Sequence, residues 1–247
     1  MAKSIKISEF DVSNITVGAP KLNQSGGKNI NTNYTIPDGV AGLVFQTPRM
    51  LSFGINKWVD PKDANATPIC SATLSFMGMD TNSKLKEFHQ TLEALDNWAV
   101  DVASKNSWEW LSRKNLSRET LDAVYTRCVK VPLDQQTGEP NGKPHSMKIK
   151  LKSNASGFTS VFFDKEKNVI PSDELEQIFT KGSHVRALMQ CTGFWVAAGK
   201  FGLSWKLLQM VVEPRPGFSK EYAFDDSEEA DGEADDGQGS FTVVKRN

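Results

Sequence analysis

Hydrophobic and polar positions recur along this chain with two different periods, and the change from one to the other divides it. From Met147 to Lys152 the alternation is strict: Met147, Ile149 and Leu151 fall on one side of an extended chain, and Lys148, Lys150 and Lys152 on the other. Residues 4–12 (SIKISEFDV), 42–51 (GLVFQTPRML) and 68–77 (PICSATLSFM) are rich in β-branched and aromatic side chains and predict further strands. Pro48 ends the second of these or lies on an edge. A Gly/Asn-rich stretch, 21–34 (KLNQSGGKNINTNY), separates the first two.

From residue 83 to about 104 the period lengthens. Leu85, Phe88, Leu92, Leu95, Trp98 and Val102 recur at three- and four-residue steps, with Lys86, Gln90, Glu93, Asn97 and Asp101 on the opposite face, which predicts an amphipathic helix. Trp98 reads as a core aromatic. A shorter helix is expected after Ser117, with the serine as its cap. Residues 133–145 form a polar loop dense in Pro and Gly. Residues 157–164 (GFTSVFFD) are expected to be the hairpin partner of the lysine-bearing strand, with a short helix starting near Ser172. The segment 183–214 predicts two long strands broken at AAGKFG, 197–202. From Ser219 onward the composition turns acidic, Gly-rich and small, and residues 225–239 are expected to be disordered. The pattern is that of one β-dominated α+β domain over residues 1–220, with a helical insertion at about 83–126 and an acidic tail over 221–247.

Composition changes this picture in one respect. The 247 residues, 38% hydrophobic and 24% charged, are those of an ordinary globular protein, and the net charge of −1 conceals an asymmetry. Residues 221–236 hold nine acids and no base, whereas residues 1–220 carry 27 Lys and Arg against 21 Asp and Glu. A body of net charge +6 suits a polyanionic partner. No run approaches the ~20 apolar residues of a membrane helix, and MAKSIKISEF lacks the apolar core of a secretory leader. No membrane association and an intracellular location are therefore expected. Cys70, Cys128 and Cys191 are widely separated and read as core thiols of a reducing compartment. His89, His145 and His184 are scattered and suggest no metal site.

Catalytic signatures are missing. GGK at 26–28 lacks the rest of a phosphate-loop frame, and neither GxSxG, HExxH nor a zinc-deaminase pattern occurs. The expectation is a protein that is no enzyme and needs no cofactor.

Binding chemistry is better represented. Non-specific recognition of single strands needs cations for phosphates and flat faces for unstacked bases. Residues 193–206 (GFWVAAGKFGLSWK) interleave Trp195, Phe201 and Trp205 with Lys200 and Lys206. Core packing is the commoner fate of any one such aromatic. The row Lys148, Lys150, Lys152 repeats every 6.6–6.8 Å or so on a strand, close to phosphate spacing on an extended strand; edge protection would use the same lysines. Arg49 with Lys57 and Trp58 forms a second basic-aromatic cluster, Lys28 lies among glycines, and Phe158 and Arg186 are further candidates.

Taken together, GGKNI (26–30), QTPRM followed by FG (46–54) and above all GFWVAAGKFGLSWKLLQ (193–209) resemble a single-stranded DNA-binding family of large nucleocytoplasmic DNA viruses. Its members come from viruses of algae and amoebae, with a distant relative in African swine fever virus. The resemblance spans about residues 4–213 and implies an OB-like barrel core and non-sequence-specific binding of single-stranded DNA in viral replication, recombination or repair. It implicates Lys28, Arg49, Lys200, Trp205 and Lys206. It implies action in the host nucleus or at a cytoplasmic viral replication site, with the acidic tail meeting replication proteins, and leaves homo-oligomers open. A scaffolding protein of a viral replication compartment and an RNA-binding OB protein are the alternatives.

Overall fold

A computed structural model describes residues 4–59, 61, 68–154 and 157–215. The chain starts with two 3-10 turns, Ile7–Glu9 and Val12–Asn14, and then a run of strands. These are β1 (Ile15–Leu22), β2 (Lys28–Ile36), β3 (Gly39–Ala41), β4 (Leu43–Gln46), β5 (Met50–Trp58) and β6 (Ile69–Ser75). Helices α1 (Ser83–Lys105), α2 (Ser107–Leu111) and α3 (Arg118–Val124) follow. Next come β7 (Tyr125–Thr126), β8 (Ser146–Leu151), β9 (Ser153–Asn154), β10 (Gly157–Phe158) and β11 (Val161–Phe163). The short helix α4 (Leu175–Ile178) precedes the two long strands β12 (His184–Ala197) and β13 (Lys200–Glu213).

Five strands make a barrel. β5, β6 and β8 pair antiparallel in chain order, β12 pairs with β5 at His184–Leu51 and Val185–Met50, and β13 pairs along β12. β13 runs beside β8 and completes the ring without a hydrogen-bonded ladder among the described residues. This partly open, five-stranded circuit is OB-like. Its interior is the apolar half of each alternation: Met147, Ile149 and Leu151 face Leu74, Ala72 and Cys70, all buried. β1–β4 extend the sheet on the far side of β12, through β2 and β4.

The helical insertion lies between β6 and β8. Asn82 caps α1 by accepting from the Leu85 amide, and Ser117 caps α3 by accepting from the Thr120 amide, each satisfying a donor the helix leaves unpaired. The apolar face of α1 is buried, and Trp98 stacks on Phe194 of β12 at 5.7 Å.

Three expectations need correction. Residues 7–14 form 3-10 turns, because the Asp11 carboxylate accepts from the Ser13 amide and turns the chain; only Ile5 makes a bridge there, to Phe45. The Gly/Asn-rich stretch is a hairpin whose second arm buries Ile30, Thr32 and Tyr34 at period two. Residues 157–164 do not pair with β8, whose outer partner is β6. β10 closes on β9 instead, and β11 joins β13 in parallel. The acidic tail lies outside the described residues.

A histidine pair joins α1 to the start of β8. The buried ring of His89 meets His145 at 2.8 Å, Nε2 to Nδ1, with Glu93 at 3.3 Å from its other nitrogen and Phe76 edge-on at 4.9 Å. Burial holds the His89 imidazole below its ordinary value, with His145 acting in the same direction against Glu93. The unfolded chain therefore takes up protons that the fold resists, and stability should fall as pH drops below about 6.5. His184, lowered by burial and then by Arg49, adds to the slope. Melting temperatures between pH 7 and 5 should decline, and His89→Gln should flatten the decline without abolishing it.

Candidate nucleic-acid interface

Sequence dictates the floor of the interface through two glycines. Gly193 sits at φ +122°, just after a bulge at Thr192, and a Cβ there would lie 1.9 Å from the carbonyl oxygen of Ile30. Without a side chain, β2 can pair with β12. Gly202 faces Trp195 across the hairpin, and a Cβ there would come within 2.9 Å of the indole Nε1 and 3.0 Å of the Thr126 carbonyl. The indole can thus lie against β13, and β7 can approach. Two transverse rows result: Asn29–Trp195–Gly202–Thr126, and Asn31–Gly193–Ser204.

Above this floor runs a groove of about 540 Å³. Arg127, Lys130, Lys148, Lys150, Lys152 and Lys206 line it, and among the described residues no Asp or Glu does. Among the described residues none of the five lysines has a carboxylate partner, while Arg127 is held by Asp122 at 2.5 Å. Trp195 is half-buried in the groove, and no ring or cation covers it among the described residues.

The wall formed by residues 125–130 is positioned from behind by Asp96, wholly buried on α1. Its carboxylate accepts from the Tyr125 hydroxyl at 2.7 Å, the Cys128 amide at 2.9 Å and the Val129 amide at 3.3 Å. Burial raises the Tyr125 hydroxyl and the Cys128 thiol well above their ordinary values, so both stay protonated. Cys191 beneath the floor is likewise pushed up to about 11.

Trp205 belongs to both groove and core. Its ring packs on the buried Phe45 with centroids 6.0 Å apart, and its Nε1–H donates to the Cys128 sulfur at 3.2 Å. Its edge lines the groove.

The structure gathers Lys148, Lys150, Lys152, Trp195, Trp205 and Lys206 from the sequence candidates and places the others elsewhere. Lys28 donates to the carbonyls of Glu109 and Trp110 in the last turn of α2, where a helix leaves carbonyls unpaired. Phe201 is fully buried against Tyr125. Arg49 is paired with Glu213 at 2.6 Å and Lys57 with Glu176 at 2.6 Å. Lys200 stands at the hairpin turn, and Arg186 toward the opposite end of β12. Phe158 packs on Phe162. Trp58 is 53% exposed at the end of β5, beside Ile69 at 52%. It shares a sheet face with Lys150 but does not line the groove.

Sequence reasoning missed Asn29, Asn31, Arg127 and Lys130. The period-two pattern NINTNY carried a signal for the asparagines. Nothing local announced that the segment after α3 would become a wall.

Truncating Trp205 to alanine should destabilise the protein by about 3 kcal/mol, because it empties space against Phe45. Trp205→Phe, which loses the bond to Cys128 but keeps much of the packing, should cost about 1 kcal/mol. Denaturant midpoints for the two variants check both values.

No curated protein matches the chain. Among solved structures, it is similar to the single-stranded DNA-binding protein of bacteriophage Enc34 in complex with single-stranded DNA. The identity is 12%, over 81% of this chain and 98% of that one, with a TM-score of 0.45. It is also similar to gp2.5, a single-stranded DNA-binding protein of bacteriophage T7, at 10% identity over 74% of this chain and 98% of that one, TM-score 0.42. A family model described as a family of unknown function, DUF5871, matches residues 71–226, more than half of the sequence. The chain belongs to that family.

Proposed function

We propose that this protein binds single-stranded DNA in the groove over β12 and β13, without strong sequence preference and without catalysis. One observation carries the reading: six cations line the groove beside a half-buried indole, and among the described residues no carboxylate lines it. Phosphates supply the missing anions, and an unstacked base supplies the partner for the indole face. Lysines on alternate residues of β8 give contacts about 6.6–6.8 Å apart, a spacing suited to a strand lying along them. The groove is lined by side chains of strands and of the segment 127–130, and among the described residues no helix contributes to it, which favours a single strand over a duplex.

The finer reading rests on the sequence motifs. It assigns the protein to viral DNA replication, recombination or repair, with residues 221–247 meeting replication proteins.

A salt titration with matched single-stranded DNA, duplex DNA and single-stranded RNA tests the proposal. Single-stranded DNA should bind most tightly, with affinity falling steeply as salt rises; equal affinity for duplex would sink the reading, and a preference for RNA would replace it. Lys148, Lys150 and Lys152 changed together to alanine should shallow the log–log salt slope by about 2, at roughly 0.7 per phosphate contact. An unchanged slope would assign the row to edge protection. Trp195→Ala should weaken binding by about 1–3 kcal/mol with the melting temperature nearly intact.

A further inference from the structure

The two sides of the groove differ in kind. Cations line the groove on the β8 side and along residues 127–130; on the β2 side its lining is the neutral Asn29 and Asn31, with Lys21 of β1 next in the row beyond Asn29 and outside the lining. Register fixes their position: Asn29 is the cross-strand neighbour of Trp195, and Asn31 that of Gly193. Both asparagines are exposed, on the face of β2 opposite the buried Ile30 and Thr32. Among the described residues neither amide has a hydrogen-bond partner within the protein, unlike Thr192, whose hydroxyl donates to the Ser204 carbonyl at 3.3 Å. From Asn29 to Thr126 the row crosses three strand spacings, about 14 Å.

We infer that Asn29 and Asn31 form a base-reading wall, and that a bound strand lies with phosphates toward the lysines and base edges toward these two amides. The inference rests on the groove being a single-strand site. Phosphates go where the cations are, so a base stacked on Trp195 extends toward β2. An asparagine amide offers a donor and an acceptor side by side. The pairing edge of each of the four bases also offers an adjacent donor and acceptor, and the amide can rotate to match either order. The wall therefore gains hydrogen bonds from any base, which suits binding without sequence preference. It gains nothing from a strand that has lost its bases.

The experiment uses the full chain and three probes: a mixed-sequence single strand, an abasic strand of equal length, and the duplex. The double variant N29A/N31A removes two exposed side chains and should keep the wild-type melting temperature. Its affinity for the mixed strand should fall about tenfold, the sum of two net hydrogen bonds of about 0.7 kcal/mol each. Its affinity for the abasic strand should change less than twofold. Equal losses on mixed and abasic strands, or no loss on either, overturn the amide wall. A wild-type protein that binds duplex as well as single strand overturns the single-strand reading and the wall with it. Retained single-strand preference with no loss in N29A/N31A overturns the wall alone.

Discussion

Close approach of β2 to β12 at Gly193 is the constraint on which the groove depends. Any side chain there would meet the Ile30 carbonyl at 1.9 Å, well inside van der Waals contact, and the two strands would part. With them would go the register that sets Asn29 beside Trp195 and Asn31 beside Gly193. The bulge at Thr192 serves the same end, adding local twist where β12 must serve β2 on one side and β13 on the other. Gly202 repeats the device on β13, leaving room for the indole and for β7. The motif GFWVAAGKFGLSW therefore encodes a surface: two absent side chains and one large flat one.

Opposite that floor, a buried charge does the positioning. Asp96 is shielded from water, and a carboxylate in that state is costly unless hydrogen bonds surround it. The Tyr125 hydroxyl and the amides of Cys128 and Val129 supply them, so one α1 side chain fixes the course of the chain between α3 and Lys130. The helices of the insertion thus shape the groove although none of their own residues lines it. Helix α1 holds the segment that presents Thr126, Arg127 and Lys130, and the Cys128 sulfur from the same segment receives the indole hydrogen of Trp205.

How much of this was legible follows from the range of each interaction. Periodicity is local, and it revealed α1, the split of β8 into apolar and lysine rows, and the long hairpin of β12 and β13. Caps are local too, and Ser117 was readable as one. Pairing is not local. Nothing in residues 157–164 says that β11 will run parallel to β13 while β6 takes the place beside β8. The candidate cations divide on the same ground. Lys28, Arg49 and Lys57 look like binding residues in a linear sequence. Each is instead engaged by a group far away in the chain: the α2 carbonyls, Glu213 and Glu176. Lys148, Lys150 and Lys152 line the groove, and their side of the chain was legible because the local alternation decides where they point.

That division of the cations also explains how a chain of net charge −1 can hold a strongly positive groove. A charge paired at a surface contributes little to stability and little to the field beyond its partner. Arg118 and Arg127 share Asp122 with each other, and Arg118 also reaches Asp101. The lysines around the groove have no such partners among the described residues, so their fields add within a concave, partly apolar space where screening by water is weaker. Their mutual repulsion works against the folded state and gathers counterions from solution. A phosphate backbone laid along the row relieves that repulsion and returns those ions to bulk water. The amide side of the groove lining adds no charge. On the proposed reading, affinity and strand orientation share one cause, the placing of every groove-lining cation on the side away from β2.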